Sequence, residues 1–174
     1  AKRIGVAALA VKGTANTAVT LTGYSAGVEV FGEDGADTPG MSTLLKLLFA
    51  NGASTVYAVR LDAGGGLEAY QAAFAALANC DVQVVVGDSS ELTIQKALKT
   101  AVETASAARG ERIGVIGGSG DTAAQLVTRA EAINSERMVL VGPDMKDESG
   151  KALSGVFAAA AVAGAIACGA DPAV

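Results

Sequence analysis

From residue 55 onward, short β-rich runs and amphipathic helical patterns alternate along the chain. The run over 82–86 is almost wholly apolar, which is typical of a strand covered on both faces. The segments between the runs place apolar residues at helical spacing, as at Tyr70, Phe74 and Leu77. Successive strand–helix units of this kind form parallel sheets. The alternation therefore predicts an α/β fold of three layers, in which helices flank a largely parallel or mixed central sheet.

Short N-terminal strands are predicted ahead of this alternation. Residues Ile4–Val11 and Ala18–Thr22 are β-rich, and glycine and asparagine mark the turn between them. Residues 23–40 read as a loop that a short apolar piece, Val28–Phe31, interrupts. The N-terminal region is therefore expected to add strands but no helix before residue 38.

The segment Phe31–Leu61 carries the clearest helix signals. Thr38 suits an N-cap, Pro39 suits the first helical position, and Gly52 suits the left-handed residue after a helix end. A β-rich run, Thr55–Leu61, follows directly. These signals predict one helix that packs onto one strand.

The later units can be assigned in chain order. Strands are predicted over 82–86, 112–116 and 138–141, and a charged loop over 143–151. Helices are predicted over 67–77, over 122–133 with Asp121 as the cap, and over 156–168, where the helix is Ala-rich and buried. A further helix begins after the capping-box-like segment Asp88–Glu91 and ends at Gly110.

Composition excludes several classes of function. The 174 residues fit one domain, so 1–174 is predicted to be a single α/β domain. The chain has no histidine, which removes the commonest general base and metal ligand. A net charge of −5 without a basic run argues against nucleic acid as a partner.

No signal peptide is visible, and the apolar run over 156–168 is shorter than the roughly 20 residues of a membrane span, so no membrane insertion is predicted. Cys80 and Cys168 are expected to be buried, reduced thiols.

One segment fits a cofactor site. Gly118-Ser119-Gly120-Asp121-Thr122-Ala123 matches the GxGxxA form of the dinucleotide fingerprint, between a predicted strand and a helix. In this interpretation Gly118, Gly120 and Thr122 would hold the pyrophosphate at the helix N-terminus. The match falls late in the chain, however, and Asp121 would repel a phosphate. The competing interpretation is a tight turn capped by Asp121, and it is the one we favour.

Other polar clusters predict no catalytic residue, no metal site and no cofactor. The acidic segment Glu33–Asp37 lacks the ligand register of an EF-hand loop, and Asp144–Glu148 lies in a charged loop. Both are interpreted as solvated loops. Arg60, at the end of a predicted strand, is expected to pair with a carboxylate either at an interface or within the chain.

Several segments, taken in order, resemble the contractile-tail sheath proteins of phages and phage-tail-like particles, and specifically their body domain. The best match is the helix end and strand at Phe49–Arg60. The other matching segments are Gly5–Gly23, Phe31-Gly32, Asn134–Pro143 and Gly155–Gly164.

The resemblance implies a structural subunit, not an enzyme. Such a subunit would polymerise in stacked rings around an inner tail tube and contract to drive the tube through a cell envelope. Its partners would be other copies of itself, the tube protein, and baseplate and tail-terminator proteins. It would be assembled in the bacterial cytoplasm and reside in a virion tail or a prophage-derived, tail-like particle. The resemblance also implies that 1–174 is an excised body domain without the family's terminal linking arms and C-terminal domain.

Two alternatives stay open at this point. One is a small nucleotide-binding, Rossmann-like domain that uses the Gly118-Ser119-Gly120 loop. The other is an adhesion or interaction module unrelated to sheaths. Phage, bacteriocin and secretion-type particles are all compatible with the motifs.

Overall fold

A computed structural model describes residues 1–169 of the chain. The strands are β1 (Ile4–Ala8), β2 (Ala18–Leu21), β3 (Val56–Arg60), β4 (Val84–Gly87), β5 (Ile113–Gly117), β6 (Met138–Val141), β7 (Met145–Lys146) and β8 (Ala152–Leu153). The helices are α1 (Tyr24–Phe31), α2 (Met41–Ala50), α3 (Gly66–Ala78), α4 (Leu92–Ala107), α5 (Ala123–Ile133) and α6 (Gly155–Cys168).

The central sheet has six strands in the order β2-β3-β1-β4-β5-β6. Strand β1 pairs in parallel with both β3 and β4, and the parallel pairing continues through β5 to β6. Only β2, at one edge, runs antiparallel to its neighbour β3. This arrangement confirms the predicted α/β fold with a mixed central sheet.

Side chains of the sheet alternate between two cores. From β1, Ile4, Val6 and Ala8 face the core formed with α1, α2 and α6, whereas Ala7 faces the core formed with α3 and α4. Every residue of β1 is buried, as expected for a central strand with helices on both faces. The predicted three-layer arrangement is therefore present.

The Ala-rich helix α6 packs closely against α2. A Cβ atom at Gly164 would lie 2.7 Å from the carbonyl oxygen of Leu48, so the small residue is what lets the two backbones approach. Gly52, just after α2, has φ +109°, which confirms the predicted left-handed residue at this helix end. Cys168, which lies against Gly52 at this end of the α2–α6 contact, is exposed, so the expectation that both thiols are buried is wrong for this residue.

Several local predictions are wrong, and each has a tertiary cause. Residues 24–31 form helix α1 instead of a loop that a short apolar piece interrupts, because Gly27 and Phe31 are buried against the core. Strand β7 lies inside the predicted charged loop 143–151 and forms a short hairpin with β8, which directly follows that loop.

Three helix starts also differ from prediction. Helix α2 begins at Met41, after Thr38 and Pro39, with Gly40 at the N-cap. Helix α4 begins at Leu92 without a side-chain cap, so the segment Asp88–Glu91 is not a capping box. For α5, the cap is Thr122 and not Asp121.

Candidate functional site

The candidate cofactor loop joins β5 to α5, as predicted from the fingerprint. Thr122 caps α5 by accepting a hydrogen bond from Gln125 N at 3.2 Å, while the Gln125 side chain accepts one from Thr122 N at 2.8 Å. This reciprocal pair is a true capping box. It occupies two of the amides at the end of the helix where a phosphate would bind.

Two further amides of the loop face carboxylates of the chain itself. Gly120 N donates to Asp144 Oδ2 at 2.8 Å, and Ser119 N lies 3.4 Å from Asp121 Oδ1. A Cβ atom at Gly118 would lie 2.4 Å from the Asp121 carboxylate, so this glycine leaves room for the aspartate. The loop brings Gly118, Gly120 and Thr122 together, but two carboxylates lie where a pyrophosphate would need to be.

Asp144 also ties the loop to the start of α6. Its Oδ1 atom accepts a hydrogen bond from Gly155 N at 2.8 Å, while Oδ2 binds Gly120 N. The approach is very close here, since a Cβ atom at Gly117 would lie 2.1 Å from the Gly155 backbone. The absence of a side chain at Gly117 therefore allows the backbones of β5 and α6 to come into close contact.

The Arg129 side chain of α5 binds the loop that joins β5 to α5. Its guanidinium forms an ion pair with Asp121, with Nε to Oδ2 at 2.9 Å, and both side chains are largely buried. It also donates to Ser90 O at 2.6 Å and to Gln95 Oε1 at 3.0 Å. The ion pair lowers the pKa of Asp121, chiefly through the hydrogen bond from Arg129. Asp121 is therefore an ionised partner of Arg129, and this network anchors α5.

Open α/β sheets usually bind ligands where the strand order reverses, which here is the gap between the carboxyl ends of β1 and β4. That gap is filled. Leu9 N donates to Asp88 Oδ2 at 2.9 Å, and Leu9 O accepts from Met41 N at 2.8 Å. The start of α2 thus lies directly against the end of β1.

Asp34 closes the same gap from the loop before α2. Its Oδ2 atom accepts hydrogen bonds from Gly40 N at 2.7 Å, Thr43 N at 2.9 Å and Thr43 Oγ1 at 2.9 Å. A carboxylate therefore satisfies the free amides at the start of α2, in place of the predicted Thr38 cap. Asp34 belongs to the acidic segment Glu33–Asp37, so this part of the segment is structural and not solvated loop.

Asp88 is a partly buried carboxylate that accepts hydrogen bonds from two donors. It accepts from Leu9 N and from the Tyr70 hydroxyl. Burial raises the pKa of Asp88, and the nearby Asp34 charge adds to the increase. Through these two hydrogen bonds Asp88, which directly follows β4, links the end of β1 to α3.

The other sequence candidates form no common site. Arg60 donates to Gly13 O and forms no ion pair among the described residues, so the alternative of a salt bridge within the chain is not found there. Across residues 1–169, no cluster of three or more cysteine or acidic side chains could hold a metal ion. The same residues include no helix that is both long enough and apolar enough to cross a membrane.

Sequence reasoning missed the structural roles of Asp34, Asp88 and Arg129. Each acts over a distance of at least six residues along the chain, on backbone amides or on a partner side chain. A local pattern does not contain such contacts. The only available signal was the position of Asp88 directly after a buried strand.

Comparison with known proteins gives a likeness in structure alone. No protein-family model and no curated protein matches the sequence. Among solved structures, the sheath tail protein from Desulfitobacterium hafniense aligns over 95% of this chain and 58% of its own, with 12% identity and a TM-score of 0.72. The sheath tail protein from Listeria innocua aligns over 97% of this chain and 57% of its own, with 11% identity and a TM-score of 0.73.

A third similar structure comes from an assembled particle. The helical sheath of the anti-feeding prophage, in its contracted state, aligns over 94% of this chain and 45% of its own, with 15% identity and a TM-score of 0.64. The chain thus spans only about half the length of these proteins. At such low identity the likeness establishes the fold: residues along nearly the whole chain adopt the fold of a part of contractile-sheath proteins.

Proposed function

We propose that this chain is a structural subunit of a contractile tail sheath, which polymerises around an inner tube and contracts to drive the tube through a cell envelope. The observation that carries the proposal is the alignment of 94–97% of the chain with sheath proteins, including a sheath in its contracted state. The ordered sheath-like motifs between Gly5 and Gly164 support it independently of the structure.

The closed glycine loop favours this proposal over nucleotide binding. Several of the amides that could hold a pyrophosphate already face Asp121 or Asp144 or belong to the Thr122–Gln125 capping box. The gap between β1 and β4 is likewise filled by Asp34 and Asp88. We therefore propose a non-enzymatic role, in which the chain acts through its surfaces.

The proposal also covers which domain of a sheath subunit this chain is, what it binds and where it acts. The chain would be the body domain of a longer sheath subunit, since each similar sheath protein is matched over only 45–58% of its length. Its partners would be further copies of itself, an inner tube protein, and baseplate and terminator proteins. It would assemble in the bacterial cytoplasm and act in a virion tail or a tail-like particle.

Electron microscopy of the full-length protein encoded by the reading frame that contains this chain tests the proposal. We expect tubes or stacked rings in negative stain from the purified product. Dispersed particles at every salt concentration would contradict polymerisation. Saturable binding of a dinucleotide by the same protein, abolished by Gly120→Asp, would instead support the nucleotide alternative.

A further inference from the structure

Asn51 and Gly52, at the end of α2, form the one asparagine–glycine pair of the sequence, since the other asparagines precede threonine, cysteine and serine. Asparagine is a chemically labile residue. It is most labile before glycine, because the next backbone nitrogen can attack the side-chain amide and glycine has no side chain to hinder the attack. Asn51 is also exposed, so water has access to the site.

The fold requires glycine at position 52. The φ angle of Gly52 is +109°, which residues with a side chain rarely adopt. A Cβ atom there would lie 2.5 Å from the Cβ atom of Cys168 on α6. Packing of α6 on the end of α2 therefore places the labile neighbour next to Asn51.

Hydrogen bonds hold both reacting groups in the folded chain. Asn51 Nδ2 donates to Leu47 O at 2.8 Å, and Gly52 N donates to Phe49 O at 3.3 Å. Attack of Gly52 N on Asn51 Cγ requires release of both groups, and hence opening of the last turn of α2. The ends of helices open at a lower free energy than the core of a fold, so this turn can open while the rest of the chain stays folded.

We propose that Asn51 is a deamidation site of the folded chain and that opening of the end of α2 controls its rate. In the reaction, Gly52 N forms a bond to Asn51 Cγ, and the side-chain nitrogen leaves as ammonia together with the proton of the Gly52 amide. Water then opens the resulting succinimide ring to give aspartate or isoaspartate. Water is the only co-reactant, and the inference does not depend on the proposed function.

Both products weaken the end of α2 where it meets α6. At neutral pH an aspartate at position 51 cannot donate to Leu47 O, and its charge lies at the negative end of the helix dipole. Isoaspartate also inserts the Cβ atom of the residue into the main chain. That atom lies at the contact with α6, since a Cβ atom at Gly164 would be 3.0 Å from Asn51 Cβ. Deamidation should therefore lower the stability of the fold.

Incubation of the folded protein at mildly alkaline pH, which favours loss of the amide proton, tests the site. The tryptic peptide 47–60 contains Asn51 as its only asparagine, so mass spectrometry assigns the mass gain, and fragmentation separates aspartate from isoaspartate. We expect Asn51 to convert faster than Asn16, Asn79 and Asn134. Faster conversion at any of the other three asparagines would overturn the inference.

Gly164→Ala tests the control by helix opening. Because it forces α2 and α6 apart, it should accelerate conversion at Asn51 in the folded protein by about 5- to 30-fold. Gly64→Ala is the matched control and should leave the rate unchanged, because a Cβ atom there has no neighbour within 4 Å. In urea that unfolds all three proteins, the rates should be equal.

Equal rates for folded Gly164→Ala and the unmodified protein would overturn the control by helix opening. If Gly164→Ala does not fold, urea below the unfolding transition of the unmodified protein replaces it and should accelerate conversion at Asn51. A rate that is independent of urea in that range would overturn the inference in the same way.

Asn51→Asp tests the consequence, because it reproduces the aspartate product. We expect its melting temperature at neutral pH to fall by roughly 2–4 °C. Ser54→Asp is the matched control, since it adds the same charge at an exposed position outside the helix, and its effect should be at most about half as large. Equal melting temperatures of Asn51→Asp and Ser54→Asp would overturn the predicted loss of stability.

Discussion

The Arg112 side chain connects the residue before β5 with the end of helix α3. Its buried guanidinium donates from Nη1 to Leu77 O at 2.9 Å, from Nε to Gly110 O at 2.8 Å, and from Nη2 to Cys80 O at 3.2 Å. Two of these carbonyls belong to the last turn of α3 and the residues just after it, where a cation also complements the helix dipole. A buried charge is thus satisfied entirely by backbone groups.

Arg112→Met should therefore lower the free energy of unfolding by about 2–3 kcal/mol, because the carbonyls lose charged donors in a buried place. Chemical denaturation at neutral pH measures the loss. Arg109→Met is the control, since Arg109 is exposed and should leave stability nearly unchanged. Equal stability of Arg112→Met and the unmodified protein would show that water replaces the guanidinium at no cost.

Asp88 makes a second residue-scale prediction, on pH dependence. Since burial raises the pKa of Asp88, folding favours its protonated form. Its contribution to stability is therefore fully present below its ordinary pKa and is lost as the pH rises through the folded-state pKa. Asp88→Asn keeps an acceptor for Leu9 N and offers a donor to the Tyr70 oxygen, without a charge to bury.

The variant should gain stability relative to the unmodified protein as the pH rises from about 4 to about 7, because only the unmodified protein then buries a charge. Paired urea denaturation of the two proteins across this range measures the difference. A difference that stays constant with pH would contradict a raised pKa at Asp88. The lowered pKa of Asp121 has the opposite sign but is common to both proteins and cancels.

At the scale of elements, periodicity predicted most of the sheet and its covering helices. The apolar strands and the pattern at Tyr70, Phe74 and Leu77 were sufficient, because burial imposes the same spacing on any amphipathic element. Helix α1 was missed, since its glycine Gly27 and short length give a weak local signal and its packing on Leu45 decides its structure. The start of α2 was also predicted wrongly, because the carboxylate that binds its first amides belongs to Asp34, which lies outside the helix.

The contact between α2 and α6 gives an element-scale prediction. Gly164→Ala would put a methyl group 2.7 Å from Leu48 O, so the two helices must move apart. We expect a loss of about 1–3 kcal/mol in the free energy of unfolding, as in other overpacked cores. Gly64→Ala is the matched control, because a Cβ atom there has no neighbour within 4 Å. If both variants unfold at the same denaturant concentration, the close helix contact is not a determinant of stability.

Across the described molecule, burial decreases from the centre of the sheet toward the β6 edge. All of β1 is buried, whereas β6 is half-buried along its length and α5 buries only Ile133. Polar contacts hold α5 instead, chiefly those of Arg129 with Asp121, Ser90 and Gln95. The sequence placed α5 correctly but did not reveal this dependence, because Arg129 acts on residues of other elements.

This gradient predicts local opening of α5 before the rest of the fold. Segments with few buried apolar contacts open at a lower free energy than core strands, so amides of α5 should exchange with deuterium faster than those of β1. Arg129→Met should accelerate exchange in α5 further while leaving β1 unchanged, and exposed Lys96→Met on α4 serves as the control. Hydrogen exchange followed by mass spectrometry measures both segments at once. Equal protection of α5 and β1, or equal acceleration of both by Arg129→Met, would mean that the molecule opens only as one cooperative unit and that the Arg129 network is not a separate anchor.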